Sequence, residues 1–445
     1  MTACAIQATD IPNVNLTPGS DGNLSKDALD QVYTIFLNQS GNQTSRPSDK
    51  DDQNPTGKLG KISYALDGGT LADGSLTEYG SANYGYTPPE PTKAGFTFAG
   101  WSPASIPTDS TGNITFTAQW EESSAELLDG ESINVKMKRL AGTGSAKYTT
   151  KNTTITAIQR TDEKPTEAVM ADYNSLISTD ASTKPVYAWF ENGVIKWWSE
   201  AEDVNAGVKP SRLCYGMQNL TDISGLNEWQ TGKITDMSEM FEDCSKLTDL
   251  TPLANWQTGK VHDMSEMFYG CSNLTSLAEL ADWDTGHVTR MSSMFSGCSQ
   301  LTDLTPLANW QTGQVTDMGA MFKGCSNLAD LAGLADWDMG NVTDMSNVFE
   351  NCSKLTDLTP LANWQTGKVD NMGGMFDGCS ELTDLTPLAN WQTGKVNNMS
   401  AMFMNCVKLT NTVGINSWNT SKVRYFEKMF TNCPSYPVWY NTYYN

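Results

Sequence analysis

Histidine is nearly missing: the 445-residue chain has two, His262 and His287, at non-equivalent positions of the repeat described below. Zinc sites of the common Cys/His type are therefore poorly supplied with ligands. Basic charge is short as well. Lys and Arg number 29 against 51 Asp and Glu, a net charge of −22. A phosphate-binding surface needs a basic stripe, so nucleic acid is not an expected partner, and neither is anionic lipid. No run of about 18 apolar residues exists, so no membrane insertion is expected. The start, "MTACAIQATDIPNVNLTPGSDG", has neither a basic n-region nor an apolar h-region and does not read as a signal peptide. Phosphate-loop, zinc-helix and G-x-S-x-G motifs are all missing, so no catalytic constellation, metal centre or cofactor site is expected.

What the chain has is repetition. "LTDLTPLANWQTGKV" stands at 247–261, at 355–369 and at 382–396, and once more at 301–315 with Gln314 in place of lysine. Eight of the ten cysteines fall 27 residues apart, from Cys244 to Cys433, and tryptophan keeps the same step from Trp229 to Trp418. A fixed period of this size predicts a solenoid of eight 27-residue coils.

Composition divides the chain further. Residues 1–58 read as linker, with one amphipathic stretch at 25–39 that suits a helix. Residues 59–121 carry short aromatic strands, "GFTFAGWS" and "NITFTAQWE", and read as a small β-grasp-like module. Residues 122–216 read as a β-rich cap over the first coil, with a hairpin at 185–199 turned by Asn192-Gly193. Residues 217–435 are the solenoid and 436–445 a tail. The fold class is thus mixed β with an α/β solenoid.

Within a coil, Val261, Met264, Met267, Phe268, Cys271 and Leu274 follow steps of three and four. That spacing predicts a short helical or 3-10 segment, with Asp263 and Glu266 as a capping box; Asp236, Asp317 and Asp344 would cap likewise. A strand is expected at "KLTDL", ending at the proline. The glycine of "NWQTG" is expected to supply a positive φ. The cysteines read as buried free thiols rather than disulfides.

The pattern "W.TG.V..M..MF..C..L..L" resembles the BspA-like leucine-rich-repeat family of bacterial surface proteins. "GGT…YTPPEPTKAGFTFAGWS…NITFTAQW" is similar to the Listeria–Bacteroides repeat of internalin-type proteins. These resemblances imply a bacterial cell-surface or secreted protein, not an enzyme. It would adhere to a host or microbial surface protein, with a glycan as the alternative, and work as a monomer.

Two candidate surfaces follow. Asp249, Asp303, Asp330, Asp357 and Asp384 precede an inner leucine and would form an acidic stripe on the concave side, suited to a basic partner or Ca²⁺. The turn face, Trp256, Gln257, Trp310, Gln311, Trp364 and Gln365, is the alternative, with tryptophan as a sugar platform. A rival reading places an enzyme site in 122–216.

Overall fold

The computed structural model describes residues 57–441. The amphipathic stretch at 25–39 lies outside them. The described residues divide into two compact units, 57–93 with 98–120, and 94–97 with 121–441.

The first unit is built on a mixed sheet. Its strands are β1 (Gly60–Ala65), β2 (Glu78–Tyr79), β3 (Phe96–Ser102) and β4 (Ile114–Glu122), in the order β2-β1-β4-β3. The central pair β1/β4 is parallel, with Ile62 opposite Ile114 and Tyr64 opposite Phe116. The period-two alternation in β4 hides Phe116 and Ala118, which meet Ile62, Tyr79, Trp101 and Ile106 in one core.

The second unit opens with β5 (Ser124–Glu126), α1 (Gly130–Leu140), β6 (Ala157–Arg160) and α2 (Glu167–Met170). It continues with β7 (Val186–Glu191), β8 (Val194–Ser199), β9 (Asp203–Asn205) and β10 (Trp229–Gln230). β7 and β8 form the hairpin that Asn192-Gly193 predicts. Both turn residues are left-handed, at φ 51° and 92°, as a type I′ turn requires. Helix α1 is not legible in the hydrophobic pattern, because its buried face carries Asn134 and Lys138. Asp129 caps it by accepting from the Ser132 N–H at 2.9 Å.

Residues 217–435 contain no α-helix, and the expected helix and strand are both corrected. The step of three in the apolar pattern comes from a string of β-turns. Val261 N–H donates to Thr258, Met267 to Met264, Cys271 to Phe268, Leu274 to Cys271, Leu280 to Leu277 and Trp283 to Leu280, at 2.9–3.4 Å. Each turn advances three residues and returns an apolar side chain to the interior. Two left-handed residues per repeat stop the turns from merging into a helix: Glu266 at φ 58° and Gly270 at 71°, with equivalents throughout. Both stand third in their turns, where a type II turn demands positive φ. The second position is always Asp, Asn or Gly, the residues that tolerate it best.

The expected capping box is likewise absent. Glu266 occupies the first left-handed position, and Asp263 Oδ1 accepts from the N–H of Ser265 at 2.9 Å, an Asx turn. The segment "KLTDL" is not a strand. Backbone pairing between repeats runs through 262–270 instead. There Met264, Glu266, Phe268 and Gly270 donate to Arg290, Ser292, Met294 and Ser296 at 2.7–3.0 Å, and Thr289 donates back to His262 at 2.9 Å. The "NWQTG" glycines are not left-handed. A side chain on Gly232 or Gly259 would instead press on Gln257 or Asp284 of the next repeat.

One more repeat exists than the cysteine count shows. Residues 208–216 take the place of a preceding repeat, donating from Arg212, Cys214 and Gly216 to Ser238, Met240 and Glu242 at 2.7–3.1 Å. Arg212 and Gly216 hold the two left-handed positions, at φ 65° and 69°. Met217 stands where later repeats have cysteine. At the other end the expected tail is a cover. The rings of Trp439 and Tyr440 lie against Phe426 and Phe430, at 6.1 and 5.0 Å. Trp439 Nε1 donates to Ile415 at 3.0 Å, as Trp418 donates to Leu388. A further repeat would bring its tryptophan there at position 445; Trp439 arrives six residues early.

One core runs from Ala125 to Phe430. Phe241, Phe268, Phe295 and their successors stack in parallel, 5.3–5.9 Å between centroids. Each cysteine from 271 onward donates its thiol to the carbonyl of a phenylalanine 30 residues earlier, as Cys271 does to Phe241 at 3.3 Å. The nine described cysteines are free; all are buried but Cys433. Burial pushes the Cys325 thiol up to about 12.

Phe322→Ala would leave a void between Phe295 and Phe349 and should cost about 3–5 kcal/mol in denaturant unfolding. Tyr269→Ala, at an exposed ring, should change stability by less than about 0.5 kcal/mol. A native-state thiol assay should label Cys433 and leave the cysteines from 214 to 406 unreacted. Denaturation without reductant should release them all; a deficit would mean that disulfides bridge the repeats.

Candidate functional site

The five stripe aspartates are placed by local chemistry. Each accepts, through one carboxylate oxygen, the N–H two residues on. Asp249 takes Thr251, Asp303 Thr305, Asp330 Ala332, Asp357 Thr359 and Asp384 Thr386, all at 2.7–2.8 Å. These Asx turns lead into the 3-10 turns that begin at Thr251, Thr305, Ala332, Thr359 and Thr386. The Thr251 hydroxyl and N–H hold the Asp249 carboxyl below its usual range. Four of the five are exposed and Asp384 is half-buried. They sit on turns rather than on paired strands, and the one backbone bridge along this line joins Asp384 to Asn411.

The turn face is divided. The rings of Trp256, Trp310 and Trp364 are 3–5 % exposed, and each indole N–H donates to a leucine carbonyl 30 residues earlier at 3.0–3.4 Å. Rings held edge and face inside the core offer no stacking platform, so the sugar-platform role of these tryptophans is withdrawn. Gln257, Gln311 and Gln365 remain exposed.

Sequence spacing missed a third surface, the outward side chains of the backbone-paired segment. One column there reads Glu242, Tyr269, Ser296, Lys323, Glu350, Asp377, Met404 and Thr431; Glu242 and Ser296 are buried and the other six are exposed or half-buried, while the inward neighbours stay Met, Phe and Cys almost throughout. Lys323 pairs with Glu350 at 2.8 Å along it. The signal was the variation itself. It became readable once the backbone pairing fixed which side faces out.

Where this segment meets the first repeats, charge is concentrated. Arg212 grips both carboxylate oxygens of Glu239 at 3.1 and 2.8 Å, reaches Glu131 at 2.9 Å and lies over the Tyr148 ring at 4.6 Å. Lys151 pairs with Asp243 at 2.8 Å. Lys138, fully buried, donates to the carbonyls of Tyr148 and Tyr215 at 2.6 and 2.7 Å, and burial pulls it down to about 8. Glu242 is buried beside Glu266, Glu239 and Asp243. Burial, followed by the Glu266 charge, pushes its carboxyl up to about 7 against a hydrogen bond from Tyr215.

His262 and His287 come within 6.3 Å of each other, ring to ring. Among the described residues no group of three or more His, Cys, Asp or Glu is arranged to hold a metal ion. No described helix is long and apolar enough to cross a membrane.

The repeats define a family of repeat-built chains. The family described as "Mycoplasma protein of unknown function, DUF285" matches residues 211–332 and 326–441, more than half of the chain. The protein belongs to that family. No curated protein matches the chain.

Because the folded state holds Glu242 protonated, it binds a proton that the unfolded chain releases above about 4.5. Stability from this group is therefore full below about pH 4.5 and falls as pH rises to about 7. Glu242→Gln should gain roughly 1–3 kcal/mol over wild type at pH 8 and nothing at pH 4, read from paired unfolding curves. Equal curves at pH 8 would show that the carboxyl is not strained.

Proposed function

We propose that the repeats form a leucine-rich-repeat-type solenoid that presents an extended recognition surface on a bacterial cell-surface or secreted protein. Its partner is a protein on a host or microbial surface. One observation carries this reading: the inward side chains are nearly the same in every repeat, while the column from Tyr269 to Thr431, exposed or half-buried at every position but Ser296, changes at every step. A scaffold needs the first, and a surface tuned to one partner needs the second. The resemblance to BspA-like surface proteins supports the same reading. Recognition rather than catalysis is its business, since repeats write the same residues many times and a reaction centre needs a unique set.

Beads coated with the full chain should adhere to intact epithelial or bacterial cells. Soluble chain should block adhesion, and protease treatment of the target cells should abolish it. Replacing Tyr269, Lys323 and Glu350 with alanine should cut adhesion at least about tenfold, the scale of one lost contact of about 1.4 kcal/mol. Asn at Asp303, Asp330, Asp357 and Asp384 keeps an oxygen for each Asx turn and removes four charges, so the fold should survive. Loss of adhesion in this variant alone would move the surface to the aspartates. Glycosidase sensitivity with protease resistance would favour a glycan partner. Adhesion to neither cell type would overturn the reading.

A further inference from the structure

The two histidines of the chain meet. His262 and His287 stand 25 residues apart in a repeat of 27, so they belong to different columns. Neighbouring repeats nevertheless bring their rings to 6.3 Å between centroids, with the planes at 64°. Each ring departs from its column. Where His262 stands, Thr235, Thr289, Thr316 and Thr343 donate a hydroxyl to a carbonyl of the preceding repeat at 3.1–3.4 Å. His262 gives that bond up, while its backbone keeps the usual pairing, N–H to Thr235 at 2.9 Å. Where His287 stands, the other repeats carry lysine, glutamine or asparagine. Both side chains are exposed, and neither imidazole has a hydrogen-bond or ion-pair partner among the described residues. Neither the backbone pairing nor the core explains them.

The residue type narrows the ligand. Imidazole nitrogen is the commonest protein ligand for divalent transition ions. An ion about 2.0–2.1 Å from one nitrogen of each ring lies about 3.2 Å from each centroid, so two rings can share it at centroid separations up to about 6.4 Å. The observed 6.3 Å falls inside that limit. Exposed rings can also swing closer about χ1 and χ2 without disturbing the core. Two nitrogens fall short of the closed four-ligand set of a structural zinc site. Among the described residues no third His, Cys, Asp or Glu completes such a group, so water fills the other positions.

We propose that His262 and His287 form a two-histidine site for a late first-row divalent ion, Ni²⁺, Cu²⁺ or Zn²⁺. The ion ties two neighbouring repeats together at the surface and keeps open coordination positions there. Hard ions such as Ca²⁺ and Mg²⁺ prefer oxygen and are not taken. This site is separate from the outward column that faces a protein partner. It stands whether or not that partner is found.

Calorimetric titration of the untagged full chain with nickel and zinc chloride tests it. One ion per chain should bind, and excess Ca²⁺ should not displace it. His262→Thr restores the residue of the neighbouring repeats, and His287→Gln takes the residue found at 314, so both should unfold at the wild-type midpoint without metal. Once one nitrogen holds the ion, the second contact is intramolecular, so either variant should lose about tenfold or more in affinity. Cu²⁺ should bind tightest of the series. With one equivalent of it, pulsed EPR should count two imidazoles in wild type and at most one in each variant. Cys433→Ser removes the half-buried thiol and should change nothing. No binding of nickel or zinc, affinity retained in either histidine variant, loss in Cys433→Ser, or fewer than two imidazoles on copper would overturn the proposal.

Discussion

Everything in the repeat region rests on the backbone pairing of 262–270 and its equivalents. Each such segment gives four N–H groups to the repeat after it and takes one or two from it. A right-handed helix would use those N–H groups internally, four residues back. The two left-handed residues per repeat prevent that and turn the donors outward. The arrangement satisfies backbone polar groups that would otherwise be buried unpaired, at the cost of two strained or special positions per 27 residues. Side-chain ladders follow from it. Once successive repeats are held in register, identical phenylalanines must stack, and the thiols behind them must find the same carbonyl each time.

The period, the apolar layers, the hairpin at Asn192-Gly193 and the buried thiols were legible in the sequence because each has a short-range signature. The local conformation inside the repeat was not. A spacing of three belongs both to a helix and to a string of β-turns, and periodicity alone cannot separate them. Residues such as Glu266, Ala320 and Lys428 gave no warning, since a left-handed conformation is not their preference. The glycines misled in the opposite sense. "NWQTG" has a turn-like composition, yet the glycine there makes room for the neighbouring repeat. The first, degenerate repeat at 208–234 hid because methionine replaces cysteine and cysteine replaces phenylalanine.

The candidate surfaces were legible only in part. The aspartate stripe was visible as charge, but its Asx-turn role needed the geometry of the N–H two residues on. The outward column and the changes at 370, 397 and 424 were written in the sequence as departures from an otherwise strict repeat. They carry meaning only against a backbone that stays constant beneath them. The junction around Arg212 joins residues as far apart as Glu131 and Arg212, 81 positions along the chain, by contacts that no local pattern encodes.

The early arrival of Trp439 has an arithmetic side. The closing residues occupy the docking position that any repeat offers its successor, and 208–216 do the same at the front. At the front the pairing uses the same backbone N–H and carbonyl positions that successive repeats use between themselves. Adding or deleting a whole 27-residue block would leave the backbone pairing at every junction the same, while the side chains on the outward column would change. Near-identical blocks such as 247–261, 355–369 and 382–396 are the kind of coding sequence that misaligns during recombination. The reach of this protein is thus a quantity that a gene can lengthen or shorten in fixed steps without redesigning the backbone pairing.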